Sequence, residues 1–273
     1  MRELSSRVHS LIKCLMASDV GDNDEGIIIL HLKGSKEVQT TLELYTYEII
    51  KKDQPELIVK AADCLARTFI GVEVAGKWIQ EPMVGQLNIG YEDFYQFTKD
   101  YLDSTIEQGY CAVALDAHHN VVGVLAGDTN APEIIGEDIF EGSFYDMNVI
   151  LRVLEDVDKR FMEDYKIQNG HDIIDGELLH LFMLGVIAEH NRQEIIQQLG
   201  NRLIAKASSQ GLKAVLGEAT NPKSIRVMEK YHNMKKYKDT EGNFIVYKYQ
   251  ENLKLRGIPE NVADGTYILI KEL

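Results

Sequence analysis

ELLHLFMLGVIA, residues 177–188, is the stretch on which the fold turns. After Glu177 it holds no Asp, Glu, Lys or Arg. Its length and content predict a central strand buried on both faces. A helical pattern follows at once, from Gln193 to Ser209, and Gly211 closes it. KAVLGEA, residues 213–219, then reads as a strand, and NPKSIRVMEKYH, residues 221–232, as a helix. Asn221 is placed to cap that helix, and Pro222 suits its first turn.

Upstream, residues 26–33 and 43–50 read as strands. Residues 56–69, ELIVKAADCLARTF, space Leu57, Ile58, Ala61, Ala62, Leu65 and Phe69 at helical intervals. Gly71 and Gly76 then predict a loop or a broken helix. A second helix is expected from Asp93 to Gln108, ended by Gly109. YCAVALD, the turn AHHN and VVGVLAGD, residues 110–128, form a hairpin signal. Residues 130–143 predict a loop, and Met147 to Tyr165 a helix. NFIVYKYQ and GTYILIKEL close the chain as strands. This order predicts one mixed α/β domain over residues 43–273. Residues 1–42 form an N-terminal extension, expected to pack on that domain. They suit dimerisation, a further strand or a cover over a groove equally well.

Bulk properties exclude several classes. The 273 residues carry 29 basic and 43 acidic side chains, a net charge of -14. Such a surface repels nucleic acid and anionic membrane, so neither is expected as a partner. Cys14, Cys64 and Cys111 form no CxxC pair, which argues against a disulfide framework or a cysteine-based zinc site. No run approaches the ~20 apolar residues that span a bilayer. His118 and His119 sit in the hairpin turn and complete no metal spacing, so no metal is expected. The expectation is a protein of a reducing compartment, the cytoplasm.

Three blocks resemble the GNAT superfamily of N-acetyltransferases, and within it the arylalkylamine N-acyltransferase branch. The first runs from LARTF (65–69) through EPM (81–83) to GYCAVALDAHHNVVGVLAG (109–127). The second joins VILRVLEDVDKRFMED to LLHLFMLGVIAEHNRQEII. The third is KASSQGLKAVLGEATNPKSIRVMEKY, followed by the late GTYILIKEL. They stand in the family's order and at roughly its spacing, over about residues 43–273. The resemblance implies a GNAT fold: a mixed central sheet flanked by helices. It implies transfer of an acetyl or other acyl group from acyl-CoA, acetyl-CoA being the expected cosubstrate, to a small primary amine. The attack is direct, within a ternary complex. A homodimer is compatible with it. The alternative is a GNAT-like domain that binds a partner without catalysis.

The resemblance also assigns roles. Backbone amides at Met183, Leu184, Gly185 and Val186 would pair with the pantetheine arm and orient the thioester. A glycine-rich loop should then cradle the pyrophosphate. Here that loop reads Arg192, Gln193, Glu194, Ile195, Ile196, Gln197. Arg192 matches the motif's basic residue, but Ile195 and Gln197 stand where glycines belong. Glu81, before Pro82, is the expected general base, with Glu73 a weaker alternative. Met228 replaces a tyrosine that protonates the leaving thiolate in many members, and Tyr231 is either its substitute or a core aromatic. His180 is either a proton relay or an ordinary strand histidine. Asn221 either contacts cofactor or only caps its helix. Trp78 and Phe182 supply aromatic surface for an aryl or alkyl amine.

Overall fold

A computed structural model describes residues 45–74, 77–190 and 193–273. The extension at 1–42 and the strand expected at 26–33 lie outside the described residues, as does Arg192. Eight strands form the main sheet in the order β1 (Thr46–Ile49), β4 (Cys111–Leu115), β5 (Val121–Asp128), β6 (Leu178–Val186), β7 (Ala214–Ala219), β10 (Gly265–Glu272) and β8 (Lys235–Lys236). β9 (Val246–Lys248) shares the outer edge of β10 with β8. Every neighbouring pair is antiparallel except β6 and β7.

The helices follow the apolar periods. α1 (Pro55–Ile70) starts on Pro55, whose missing N–H costs nothing in a first turn. α3 (Tyr91–Thr105) buries Phe94, Thr98 and Leu102. α4 (Met147–Asn169) is longer than its predicted extent and buries Val153, Val157 and Phe161. α5 (Gln193–Ser209) crosses from β6 to β7, and Gly211 leaves it at φ 79°, the left-handed conformation that glycine adopts freely. α6 (Pro222–His232) completes the set.

Two departures from the sequence reading matter. Gly71 to Ile79 is neither loop nor broken helix: Val72–Val74 (β2) pairs with Lys77–Ile79 (β3) as a small separate hairpin. A five-residue helix, α2 (Pro82–Gln86), follows it. The other departure concerns β6. Leu179, Leu181, Met183 and Gly185 are buried, but His180, Phe182, Leu184 and Val186 are half-buried. The strand is not sealed on both faces, because its partnership with β7 covers only Leu178, Leu179 and His180. From Leu181 to Val186 one edge has no strand partner among the described residues.

The two faces are identified by two glycines. A Cβ on Gly123 would come within 2.7 Å of Ile195 Cγ2 in α5. A Cβ on Gly185 would run into the Thr68 hydroxyl of α1. These residues occupy adjacent register pairs, Gly123–Val186 and Val124–Gly185, so they point to opposite faces. α1 and α3 therefore cover one face and α5 the other. Cys64 and Cys111 are buried free thiols, and burial pushes both up to about 12, which leaves them inert.

Gly185→Ala should destabilise the domain by about 1–3 kcal/mol through overpacking against α1. Adding Thr68→Ala should recover part of the loss. Thermal melts of the two single variants and the double variant check this coupling.

Candidate active site

Glu81 is positioned from both sides. Its backbone N–H donates to Phe69 O in the last turn of α1 at 3.0 Å. Pro82 then starts α2, and Glu81 becomes the N-cap: its Oε2 accepts the Val84 N–H at 2.7 Å. The other oxygen, Oε1, is buried without a hydrogen-bond partner. Burial raises the Glu81 carboxyl to about 7, against the weaker opposing pull of the Val84 N–H and the neighbouring Thr220. The side chain faces a cavity of about 50 Å³, whose lining includes Phe97, Phe182, Met183, Glu218 and Thr220.

Phe182 and Met183 are neighbours on one strand, yet both line that cavity. A β-bulge makes this possible. Pairing passes from Ala126–Met183 to Gly127–Leu181 and leaves Phe182 extra. Phe182 then packs edge-on to Phe97 and tilted against Tyr101 of α3, with ring centroids 6.2 and 4.7 Å away. The cavity thus sits where β6 parts from β7.

A larger cleft of about 940 Å³ adjoins it and shares Phe97, Phe182 and Glu218. His180 lies in its wall. Its Nε2 is 2.6 Å from Glu218 Oε2 and its Nδ1 is 3.5 Å from Asp128 Oδ2. Desolvation pulls the imidazole down, but Glu218 and Asp128 outweigh it and hold His180 well above the usual histidine range. Asp128 also accepts the Tyr101 hydroxyl at 2.7 Å. Both ring nitrogens thus face carboxylates, so His180 is held as a satisfied strand histidine.

The remaining expectations separate clearly. Leu184, Gly185 and Val186 lie along the unpaired edge of β6. Gly185 itself is required by the close approach of α1. Glu194 and Gln197 are exposed and Ile196 is half-buried in the first turns of α5, which Gln193 opens. Ile195 is fully buried against Gly123. It is a core anchor, not a misplaced loop glycine. Asn221 is an N-cap: its Oδ1 accepts the Lys223 and Ser224 N–H groups, and Ser224 answers in a capping box. That oxygen is committed to the helix, the capping role that the sequence offers for Asn221.

Tyr231 is half-buried, its hydroxyl 3.3 Å from Lys230 Nζ, and it does not line the Glu81 cavity. Met228 reaches toward Gly217 on β7. Glu73 is exposed on β2 and Trp78 is 59% exposed on β3, and neither lines the cavity or the cleft. Sequence reasoning missed Glu218, Asp158, Asp128 and Thr220. The signal available for Glu218 was an acid inside an otherwise apolar strand, AVLGEA. No candidate metal cluster occurs among the described residues.

Two outcomes follow. Glu81 holds its proton more tightly folded than unfolded, so it takes stability away as pH rises from its ordinary value near 4.5 through about 7. Glu81→Gln keeps an acceptor for Val84 and should raise stability at pH 8 by about 1–3 kcal/mol, with little change at pH 4.5. Urea melts at both values check the sign. Ile195→Gly should cost about 3–5 kcal/mol from lost core volume and helix propensity, read by the same melts.

No family model and no curated protein matches the chain in sequence. Solved structures do match in fold. Arylalkylamine N-acetyltransferase 2 from Aedes aegypti superposes with a TM-score of 0.59 at 15% identity, over 84% of this chain and 99% of that one. An apo mutant of agmatine N-acetyltransferase gives 0.59 at 16%, over 84% and 100%. The C-terminal condensation domain of Ebony, in complex with beta-alanyl-dopamine, gives 0.57 at 16%, over 84% and 99%. The names of these three proteins refer to different amines, so the shared fold does not select an acceptor. This chain has the GNAT acyl-CoA transferase fold, a mixed sheet flanked by helices.

Proposed function

We propose that the chain is an acyl-CoA-dependent N-acyltransferase that acts on a small primary amine. One observation carries the reading. A carboxyl raised to about 7, with one buried unpartnered oxygen, opens into a cavity at the point where β6 leaves β7. The fold and the unpaired edge at Leu184–Val186 support acyl-CoA as donor, because free strand amides can bind an extended amide-bearing chain. The names of the fold relatives support an amine as acceptor.

The chemistry balances when two protons leave the nitrogen. An arriving ammonium gives the first to the Glu81 carboxylate, which passes it to solvent. The freed amine nitrogen attacks the thioester carbonyl carbon. A C–N bond forms, the nitrogen gives its second proton to Glu81, the C–S bond breaks, and the thiolate leaves. A thiolate is stable enough to depart without Tyr231, and it recovers a proton from Glu81 or solvent. A base near 7 is well matched to this cycle, since it accepts and returns a proton at neutral pH.

The first turn of α5 favours a second reading, a binding domain without catalysis. Glu194 places an acid where phosphates would lie, and Ile195 belongs to the core. Calorimetry with acetyl-CoA separates the two. Micromolar binding, about -8 kcal/mol, supports the transferase. No binding by folded protein at millimolar acetyl-CoA supports the second reading.

If the transferase reading is right, kcat/KM should rise with pH through about 7 and then level, as Glu81 loses its proton. Glu81→Gln should lower kcat/KM by about 10²–10⁴ and abolish that inflection. An unchanged pH profile in the variant would remove Glu81 from the role.

A further inference from the structure

We infer that the cavity beside Glu81 receives the acyl chain of the donor, that it admits chains of about two to four carbons, and that Met147, Ile150 and Leu154 on α4 set this limit. The inference rests on the transferase reading and deepens it, since only an acyl-CoA brings an acyl chain to the site.

The two spaces at the split differ in kind. The cleft, about 940 Å³, has room for the body of an acceptor, while the cavity, about 50 Å³, has not. Their common wall is Phe97, Phe182 and Glu218. An acceptor that stands in the cleft with its nitrogen at that wall leaves the cavity to the other reactant. The donor arrives from the right side for this. Its arm would pair along Leu184–Val186, and Met183, next to that segment, lines the cavity.

The cavity is also polar at one end only. Its polar lining comes from Glu81 and from Glu218 and Thr220 at the end of β7. Helices α1 to α4 give it apolar side chains alone. A thioester has the same polarity: a reacting carbonyl, then a hydrocarbon tail. With the carbonyl at the split, the tail points among the helices and is removed from water there. An ammonium in that position would lose its hydration and find no acceptor.

The far wall fixes the length. Met147, Ile150 and Leu154 stand three and four residues apart, so they share one face of α4. Met147 and Ile150 are buried, and Leu154 is half-buried. Ile150 is branched at Cβ and has little rotamer freedom, which makes it a hard stop. The side wall is an interlocked run of rings, with centroids 5.3 Å apart for Phe69 and Phe94, 5.7 Å for Phe94 and Phe97, and 6.2 Å for Phe97 and Phe182. Such a wall does not swell at low cost. One water needs about 10–15 Å³ of this kind of space, so the cavity takes about three or four heavy atoms. A butyryl tail fills it, and a hexanoyl tail exceeds it.

The test is calorimetry at pH 7 with CoA, acetyl-CoA, butyryl-CoA and hexanoyl-CoA. Affinity should rise about fourfold for each methylene added from acetyl to butyryl. Hexanoyl-CoA should then fall at least tenfold below butyryl-CoA. Ile150→Ala should restore hexanoyl-CoA at least tenfold and leave CoA itself unchanged. Affinity independent of chain length in the wild type would overturn the inference, as would continued tightening through hexanoyl-CoA. So would an Ile150→Ala variant that shifts every ligand by one factor. If Ile150→Ala does not fold, Leu154→Ala at the half-buried end of the wall replaces it, with the same result expected. Binding of CoA and all three thioesters with one affinity would leave the transferase standing and the length limit fallen. No binding of any of the four to folded protein would sink both.

Discussion

β6 pairs with β7 only from Leu178 to His180 and with β5 from His180 to Val186, so one edge is unpaired over its last six residues. That imbalance organises the rest of the molecule. A strand in mid-sheet normally satisfies its amides on both sides, and an unpaired edge inside a domain must be met by something else. The split leaves room for a cavity, the bulge at Phe182 turns two consecutive side chains into it, and α1 must come close at Gly185 to hold the half-paired strand. Glu81 reaches the same cavity because its own backbone is bonded to the end of α1. Each part is fixed by a neighbour that has a structural reason to be there.

The buried charges gather beside the split. Asp128, His180, Glu218 and Asp158 form a chain of ionisable groups from β5 across β6 and β7 to α4. Removing such groups from water costs several kcal/mol each, and ion pairing rarely repays it in full. Apolar residues of like size would serve stability better. Desolvation and the neighbouring Glu218 charge push the Asp158 carboxyl well above its ordinary range.

Much of the fold was readable because it follows local rules. α5 begins and ends where its apolar period and Gly211 place it, and the β4–β5 hairpin follows from YCAVALD, AHHN and VVGVLAGD. The β2–β3 hairpin was not readable, since two glycines among short mixed segments look like a break. The alternation along β6 was hidden for another reason. LLHLFMLGV is apolar throughout, and its exposure is set by where β7 stops pairing, a long-range fact. At the candidate site, the resemblance points to Glu81 before Pro82, and its placement at the cavity comes from the bond to the end of α1. Asp158 is not legible, because it sits in an ordinary-looking helix and acquires its character only from Glu218.

Ile195 shows why a motif cannot be judged by side chains alone. Read as a phosphate loop, Glu194-Ile195-Ile196-Gln197 is a damaged one. In the folded chain Ile195 fills the space that Gly123 leaves open on β5. The pair is complementary: a glycine on the strand and a branched residue on the helix exchange volume across one contact. Substituting glycine at 195 would therefore open a hole without building a cradle. Any anchoring of a nucleotide end must instead come from backbone N–H groups at the start of α5, which a buried side chain does not block. With that end of the donor less tightly held, more of the productive geometry would fall to the unpaired edge of β6 and to contacts on the acceptor.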